Sequence, residues 1–157
     1  MNKIQNSGLD PFTNLYLMAR NDCVDRVDVF GLDSTTGCQI CTEGGNGLHG
    51  HAIGGHVWIE CPGFSIGFYP GNGSHPLYPG GPGQFEYPKD HHSDDPNKHC
   101  MNIPFTCGGN NCSPQKFQQC VQNQAKQPPP WYCVLTDNCG DWALDTIKKC
   151  SQQACGK

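Results

Sequence analysis

The stretch Asp137-Asn138-Cys139-Gly140-Asp141-Trp142 predicts the start of a helix and gives that helix a cysteine in its first turn. Aspartate and asparagine are favoured N-caps, so the helix should begin at Cys139. The side chains expected to face the core recur at three or four residues, the period of one helical face; they are Trp142, Ala143, Thr146, Ile147 and Cys150. At a helix start the positive end of the dipole favours a thiolate, so Cys139 is a candidate nucleophile.

A histidine opens a strand-like run earlier in the chain, in Gly54-Gly55-His56-Val57-Trp58-Ile59-Glu60. A second strand is predicted over Phe64–Tyr69, because Cys61-Pro62-Gly63 is a turn signal. Strand alternation gives the first run two faces, with His56, Trp58 and Glu60 on one and Val57 and Ile59 on the other. A nucleophilic cysteine needs a base that takes its proton, and His56 is our candidate.

The rest of the chain after residue 69 predicts a long loop, one further helix and one further strand. Residues 70–111 are predicted to be mostly loop, since glycine, proline and polar residues dominate them. Ser113 and Pro114 then begin a helix that the proline run at 128–130 ends. A third short strand over Trp131–Leu135 leads into the Cys139 helix. The predicted fold class is therefore α+β, a small antiparallel sheet packed on helices.

Twelve cysteines in 157 residues, beside 20 glycines and 13 prolines, predict a disulfide-rich domain. This density is typical of an oxidising compartment, where crosslinks brace a modest core. With Cys139 kept as the nucleophile and Cys23 set aside with the N-terminal segment, the others make about five bridges. These candidates are Cys38, Cys41, Cys61, Cys100, Cys107, Cys112, Cys120, Cys133, Cys150 and Cys155. All twelve cysteines can pair as well as these ten can, so the number of cysteines leaves open that Cys139 is itself a disulfide cysteine.

A zinc site is the alternative use of these cysteines. Cys38-Gln39-Ile40-Cys41 has zinc-ligand spacing and His49 and His51 follow, but no second CxxC does, and the histidine spacing fits a zinc finger poorly. His91-His92-Ser93-Asp94-Asp95 and His99-Cys100 also combine metal-binding side chains, and there we expect solvated loop residues. We therefore predict no metal and no cofactor.

Residues 1–32 resemble the end of an RHS/YD-repeat core, which closes on a pattern of the form NLYxYxxNxPxNxxDPxGL. The matching residues are Asn14, Leu15, Tyr16, Asn21, Asp28, Gly31 and Leu32, whereas Cys23 and Val29 stand where prolines are common. In that family a repeat shell encloses a variable C-terminal toxin or effector and commonly cuts itself after the terminal leucine. The resemblance implies a leader over 1–32, self-cleavage after Leu32, an effector domain over 33–157, and the shell and an immunity protein as partners. The alternative is an ordinary N-terminal extension.

The order of the later motifs is similar to that of permuted papain-like domains of the NlpC type. This group includes relatives of lecithin:retinol acyltransferase that carry an Asn-Cys motif. In the permuted order a histidine on a strand comes first and a cysteine opening a helix comes last. The segments GGHVWIE, FSIGFYPG and YCVLTDNCGDWALDTI follow that order between residues 54 and 150.

This resemblance implies Cys139 as the nucleophile and His56 as the general base. The family takes a third residue, which orients the ring, from the strand after the histidine, where this chain offers only Ser65 and Tyr69. Substitutes in the following loop are His75, Glu86 and Asp90. The backbone amide of Cys139 would contribute to an oxyanion hole.

We expect a cysteine-dependent hydrolase that acts on an amide bond of a peptide or a peptidoglycan stem, with attack on a lipid ester as the second choice. The domain would be secreted, or delivered by a secretion system, into the periplasm or the extracellular space. A disulfide-rich binding module without catalysis is the competing class. The net charge of −4 without basic clusters argues against a nucleic-acid partner. No apolar run reaches the roughly 20 residues of a transmembrane segment.

Overall fold

The computed structural model describes residues 35–43, 55–73, 80–105, 111–133 and 137–156. These ranges contain six strands, a 3-10 helix and two α-helices. The strands are β1 (Thr35–Thr42), β2 (Val57–Cys61), β3 (Phe64–Pro70), β4 (Gly81–Glu86), β5 (His99–Pro104) and β6 (Trp131–Tyr132). The 3-10 helix spans His91–Asp94, and the α-helices are α1 (Pro114–Gln124) and α2 (Cys139–Ala154).

The strands pair antiparallel in the order β5-β1-β2-β3-β4-β6. The predicted hairpin of β2 and β3 lies at the centre, with Ile59 opposite Ile66 and Trp58 opposite Gly67. Its turn needs Gly63, whose φ of 85° lies in the left-handed region that other residues rarely adopt. The predicted α+β class, an antiparallel sheet with helices in a disulfide-rich domain, is confirmed.

The two faces of the sheet have different partners. Val57 and Ile59 belong to the core with buried residues of both α-helices, as the predicted alternation requires. The opposite face carries Trp58, whose ring stacks near that of His56, and the 3-10 helix lies against this face. No helix in the described ranges is both long and apolar enough to cross a membrane.

The prediction of mostly loop between residues 70 and 111 is wrong, because β4, β5 and the 3-10 helix lie there. The sequence of β4, Gly-Pro-Gly-Gln-Phe-Glu, has little intrinsic strand preference, and its pairing partners impose the conformation. A methyl group on Gly83 of this strand would meet the Phe68 ring, so packing requires glycine there. Of the third predicted strand, Trp131–Tyr132 forms β6, and Val134 and Leu135 lie outside the described residues.

Four disulfides crosslink the described residues: Cys38–Cys61, Cys41–Cys100, Cys112–Cys155 and Cys120–Cys150. The first two lie within the sheet and the third joins the segment before α1 to the end of α2, while the last joins the two helices. Cys133 is buried, and the predicted bridge at this position is not among these four. Cys107, His75 and the whole leader with Leu32 lie outside the described residues.

Candidate active site

Cys139 is held in the first turn of α2 by a capping box. The Asn138 side chain accepts hydrogen bonds from the amides of Gly140 at 2.9 Å and Asp141 at 3.2 Å. In return, the Asp141 carboxylate accepts from the backbone N–H of Asn138 at 3.4 Å. These bonds satisfy donors that the helix itself leaves unpaired. Of the two predicted cap residues, Asn138 is the N-cap, and Asp137 exchanges backbone hydrogen bonds with Cys133.

His56 precedes β2 and contacts Cys139 from the sheet. The Cys139 side chain lies close enough to raise the pKa of His56, so the two residues bring the sheet and the start of α2 together. The His56 ring lies between two aromatic neighbours, with centroid distances of 4.1 Å to Tyr69 and 5.6 Å to Trp58. Only 8% of His56 and 6% of Cys139 are exposed. The pair is therefore nearly closed off from water, where hydrogen bonds and charges act strongly.

Asp90 is the carboxylate that contacts the histidine. Its Oδ2 lies 3.2 Å from Nε2 of His56, and the whole residue is buried. Because Asp90 engages Nε2, Nδ1 is the ring nitrogen that remains for another partner. The other oxygen, Oδ1, accepts the backbone N–H of His92 at 2.9 Å, and the Asp90 N–H donates to Ser65 Oγ at 2.7 Å. The carboxylate is thus fixed in place before any substrate binds.

Tyr69 and Gly67 complete the surroundings of this carboxylate. The Tyr69 hydroxyl donates to Oδ2 of Asp90 at 2.9 Å, while its ring covers one face of His56. A methyl group on Gly67 would overlap Oδ2 of Asp90 and lie 2.9 Å from Nε2 of His56. Glycine is needed here because the carboxylate and the imidazole occupy the space of a side chain.

The electrostatics favour an ion pair between Asp90 and His56. Burial lowers the pKa of His56, but its hydrogen bonds to Asp90 and Cys139 and their charges outweigh this effect and raise the pKa from 6.5 to about 9. Burial raises the pKa of Asp90, and the hydrogen bonds from His56, the His92 amide and Tyr69 outweigh it and lower that pKa. At neutral pH the site therefore holds a carboxylate beside a protonated imidazole.

The other predicted orienting residues have different roles. Ser65 positions the Asp90 backbone and shares a 2.7 Å hydrogen bond with Ser93. Glu86 pairs with the exposed His91 through Oε2 and Nδ1 at 2.6 Å. Tyr69 contacts both Asp90 and the His56 ring, and burial together with the Asp90 charge raises its pKa, so its hydroxyl remains a donor.

Two further residues of the site were not singled out by the sequence. Gly67 is required by the approach of Asp90, which comes from a distant part of the chain and leaves no local pattern. Burial and the charges of Cys139 and Cys133 raise the pKa of Tyr132 to about 12. Its hydroxyl therefore stays protonated at neutral pH. The one sequence signal for Tyr132 is its place on the predicted third strand, which leads into the Cys139 helix.

A groove of about 280 Å³ lies beside the N-terminal half of α2. Phe68, Phe85 and Trp142 give it aromatic walls, and Asp141 and Asp145 are among its polar lining. It also includes Asn138, the residue that precedes the candidate nucleophile. Cys139 and His56 are not among the residues that line it, so the groove borders the Cys139–His56 pair and does not contain it.

Comparison with known proteins adds no assignment to this geometry. No family model, no curated protein and no solved structure matches the chain. The arrangement of Cys139, His56 and Asp90 is therefore what a functional assignment rests on.

Proposed function

We propose that this domain is a cysteine hydrolase in which Cys139 attacks a carbonyl carbon, His56 moves the proton and Asp90 orients the imidazole. One observation carries the proposal: Asp90 contacts Nε2 of His56 at 3.2 Å, and Cys139 lies close enough to the same imidazole to raise its pKa. Covalent catalysis by cysteine requires a nucleophile, a base and a group that orients the base.

The chemistry follows from the positions of the protons. In the proposed resting state the Cys139 proton already resides on His56, so Cys139 attacks as a thiolate and a bond forms between Sγ and the carbonyl carbon. When the C–N bond of the amide breaks, His56 donates this proton to the leaving amine. Water, deprotonated by His56, then attacks the thioester and releases a carboxylic acid and the Cys139 thiolate, which restores the ion pair. Asp90 stays ionised throughout and holds the ring in its orientation.

The developing oxyanion needs hydrogen-bond donors. The backbone N–H of Cys139 belongs to the first turn of α2, whose amides have no partner within the helix. This amide also lies at the positive end of the helix dipole, which stabilises negative charge. It is therefore our candidate for one oxyanion donor.

The same proposal includes the family and the biological setting. A histidine before a sheet strand and a later cysteine at a helix start agree with a permuted papain-like domain over residues 33–157. The RHS-like leader over 1–32 points to an effector with an enclosing shell and an immunity protein. The four disulfides fit an oxidising compartment. We rank an amide of a peptide or peptidoglycan stem first and a lipid ester second.

Acyl transfer from p-nitrophenyl acetate to the native protein, with its disulfides intact, tests the mechanism. We expect a burst of nitrophenolate and an acetyl group on Cys139, located by mass spectrometry. Cys139→Ala should abolish the burst, and His56→Ala should slow it by roughly a hundredfold or more. His99→Ala removes an exposed histidine of β5 and should leave the rate unchanged. A folded protein that never acylates at Cys139 would instead be a binding module.

Asp90→Asn separates the orienting role from a merely structural one. Because Asp90 helps to raise the pKa of His56 to about 9, the variant should lose activity on the alkaline side at a lower pH than the wild type. An unchanged alkaline limb would contradict the role of Asp90. Hydrolysis of peptidoglycan sacculi and casein, compared with phosphatidylcholine vesicles, then decides between amide and ester substrates.

A further inference from the structure

Three side chains beside the candidate active site bring metal-binding atoms together. Glu43 follows the end of β1, His92 lies in the 3-10 helix, and Asp95 caps the end of that helix. One ligand atom from each lies within 4.8 Å of the other two. The sequence motif His91–Asp95 did not reveal this set, because Glu43 comes from a distant segment.

We propose that Glu43, His92 and Asp95 bind a zinc-class divalent metal ion, with water completing its coordination. Imidazole nitrogen and carboxylate oxygen are both zinc ligands, and three protein ligands with water make a complete tetrahedral site. The imidazole favours this class of ion over magnesium and calcium, which prefer oxygen ligands alone. The site is independent of the proposed hydrolase chemistry.

The distances suit one ion with little rearrangement. Nδ1 of His92 lies 2.8 Å from Oε2 of Glu43. Two ligand atoms on a tetrahedral zinc ion lie about 3.3 Å apart, so this pair needs to open by about half an ångström. Asp95 accepts the backbone N–H of Asn97 through Oδ1 at 2.7 Å, which holds its carboxylate and leaves Oδ2 for the ion.

The local charges are also suitable. Among the described residues no lysine or arginine pairs with Glu43 or Asp95, since Lys89 binds Asp94 and Lys98 binds Glu60. The site is partly open to solvent, with 20% of the His92 side chain exposed.

The location gives the ion a structural consequence. The His92 ring lies 5.2 Å from the His56 ring, and the backbone N–H of Glu43 donates to the carbonyl of His56 at 3.0 Å. An ion at this position would therefore join the end of β1 to the segment that carries Asp90, next to His56. Because it binds only the folded arrangement, it would also raise the melting temperature.

Titration of Zn²⁺ into the Cys139→Ser protein, followed by calorimetry, tests the site without competition from the Cys139 thiol. We expect a single site whose affinity falls by roughly tenfold or more in His92→Ala and in Glu43→Gln, because each change removes one of three ligands. Co²⁺ should give a visible absorption band in the parent that both variants lose. The melting temperature should rise with Zn²⁺ in the parent only.

Two controls make the assignment specific. His91→Ala removes the neighbouring imidazole, which belongs to a different group of donor atoms with Glu86 and Asp90, and should bind Zn²⁺ like the parent. His99→Ala should also bind normally. Absence of Zn²⁺ binding in the parent, or an equal loss in His91→Ala, would overturn the proposal. Circular dichroism confirms that each variant is folded before titration.

Discussion

Gly67 lies opposite Trp58 in the central hairpin, and the space where its side chain would be is filled by Asp90 and His56. The Asp90 carboxylate is buried and accepts hydrogen bonds from the His56 ring, the Tyr69 hydroxyl and the His92 amide. A buried charge persists only when its partners satisfy it. The charged pair of Asp90 and His56 therefore requires a glycine at position 67.

Gly67→Ala should therefore damage the site more than the fold. The added methyl group must displace the Asp90 carboxylate from Nε2 of His56, because it would overlap Oδ2. We expect acylation of Cys139 to slow by roughly a hundredfold, with a loss in unfolding free energy of roughly 1–3 kcal/mol from overpacking. Burst kinetics and urea denaturation measure the two effects on the same sample.

Gly63→Ala is the matched control in the same hairpin. A side chain at Gly63 meets nothing within 4 Å, but its φ of +85° makes alanine strained. We expect it to cost roughly 1–2 kcal/mol of stability and to leave the acylation rate intact. If both variants lose activity in proportion to stability, Gly67 has no specific role at the site.

The sequence predicts the local parts of the site better than the distant ones. Cys139 and His56 stand out because a cap and a strand period surround them. Asp90 was one of five candidates for the orienting position, since nothing in its own segment shows that it folds back onto β3. Its selection depends on Ser65 and Gly67, which contact it only in the folded chain.

At the scale of elements, the same distinction separates α2 from β4. The cap and the 3.6-residue period of α2 are encoded within the segment, so both its start and its apolar face are predictable. β4 has a glycine- and proline-rich sequence and becomes a strand because it pairs with β3 on one side and β6 on the other. Such tertiary pairing overrides local preference.

The cap of α2 links helix stability to the position of Cys139. Asn138→Ala removes the acceptor for the amides of Gly140 and Asp141 and should cost about 1 kcal/mol. Because these bonds fix the first turn of α2, the rate at which iodoacetamide alkylates Cys139 should also change. Urea denaturation and mass-spectrometric timing of alkylation measure the two effects.

The start of α1 offers a comparable cap without a nucleophile. Ser113 Oγ accepts the backbone N–H of Lys116 at 3.3 Å. Ser113→Ala should lower the stability by a similar amount and leave the alkylation of Cys139 unchanged. Equal effects of the two substitutions on alkylation would show that general loosening, rather than the cap, controls access to the thiol.

At the scale of the whole molecule, disulfides crosslink strands to strands and one helix to the other. Cys41–Cys100 joins β1 to β5 at the sheet edge, and Cys120–Cys150 joins α1 to α2 within the core. A small domain with a modest core depends on such crosslinks. Composition predicted this bracing, but the pairing depends on the fold because ten cysteines allow many combinations.

Removing the bridge between the helices should separate stability from reactivity. Cys120→Ala with Cys150→Ala opens a loop with a sequence separation of 30. Loop entropy alone predicts a loss of about 3.5 kcal/mol, and the cavity left by two buried sulfurs adds to it. Cys139 lies about 16 Å away along α2, so its alkylation rate in the folded protein should be preserved.

The bridge Cys112–Cys155 is the control, because its separation of 43 predicts a similar entropic loss while both cysteines are only half-buried. Cys112→Ala with Cys155→Ala should therefore cost about 4 kcal/mol from the opened loop, with a smaller cavity contribution. Urea denaturation at fixed pH gives both losses, and timed alkylation gives the reactivity of Cys139. If alkylation changes only when the α1–α2 bridge is removed, the helix pair itself positions the nucleophile, and the capping box is not sufficient to do so.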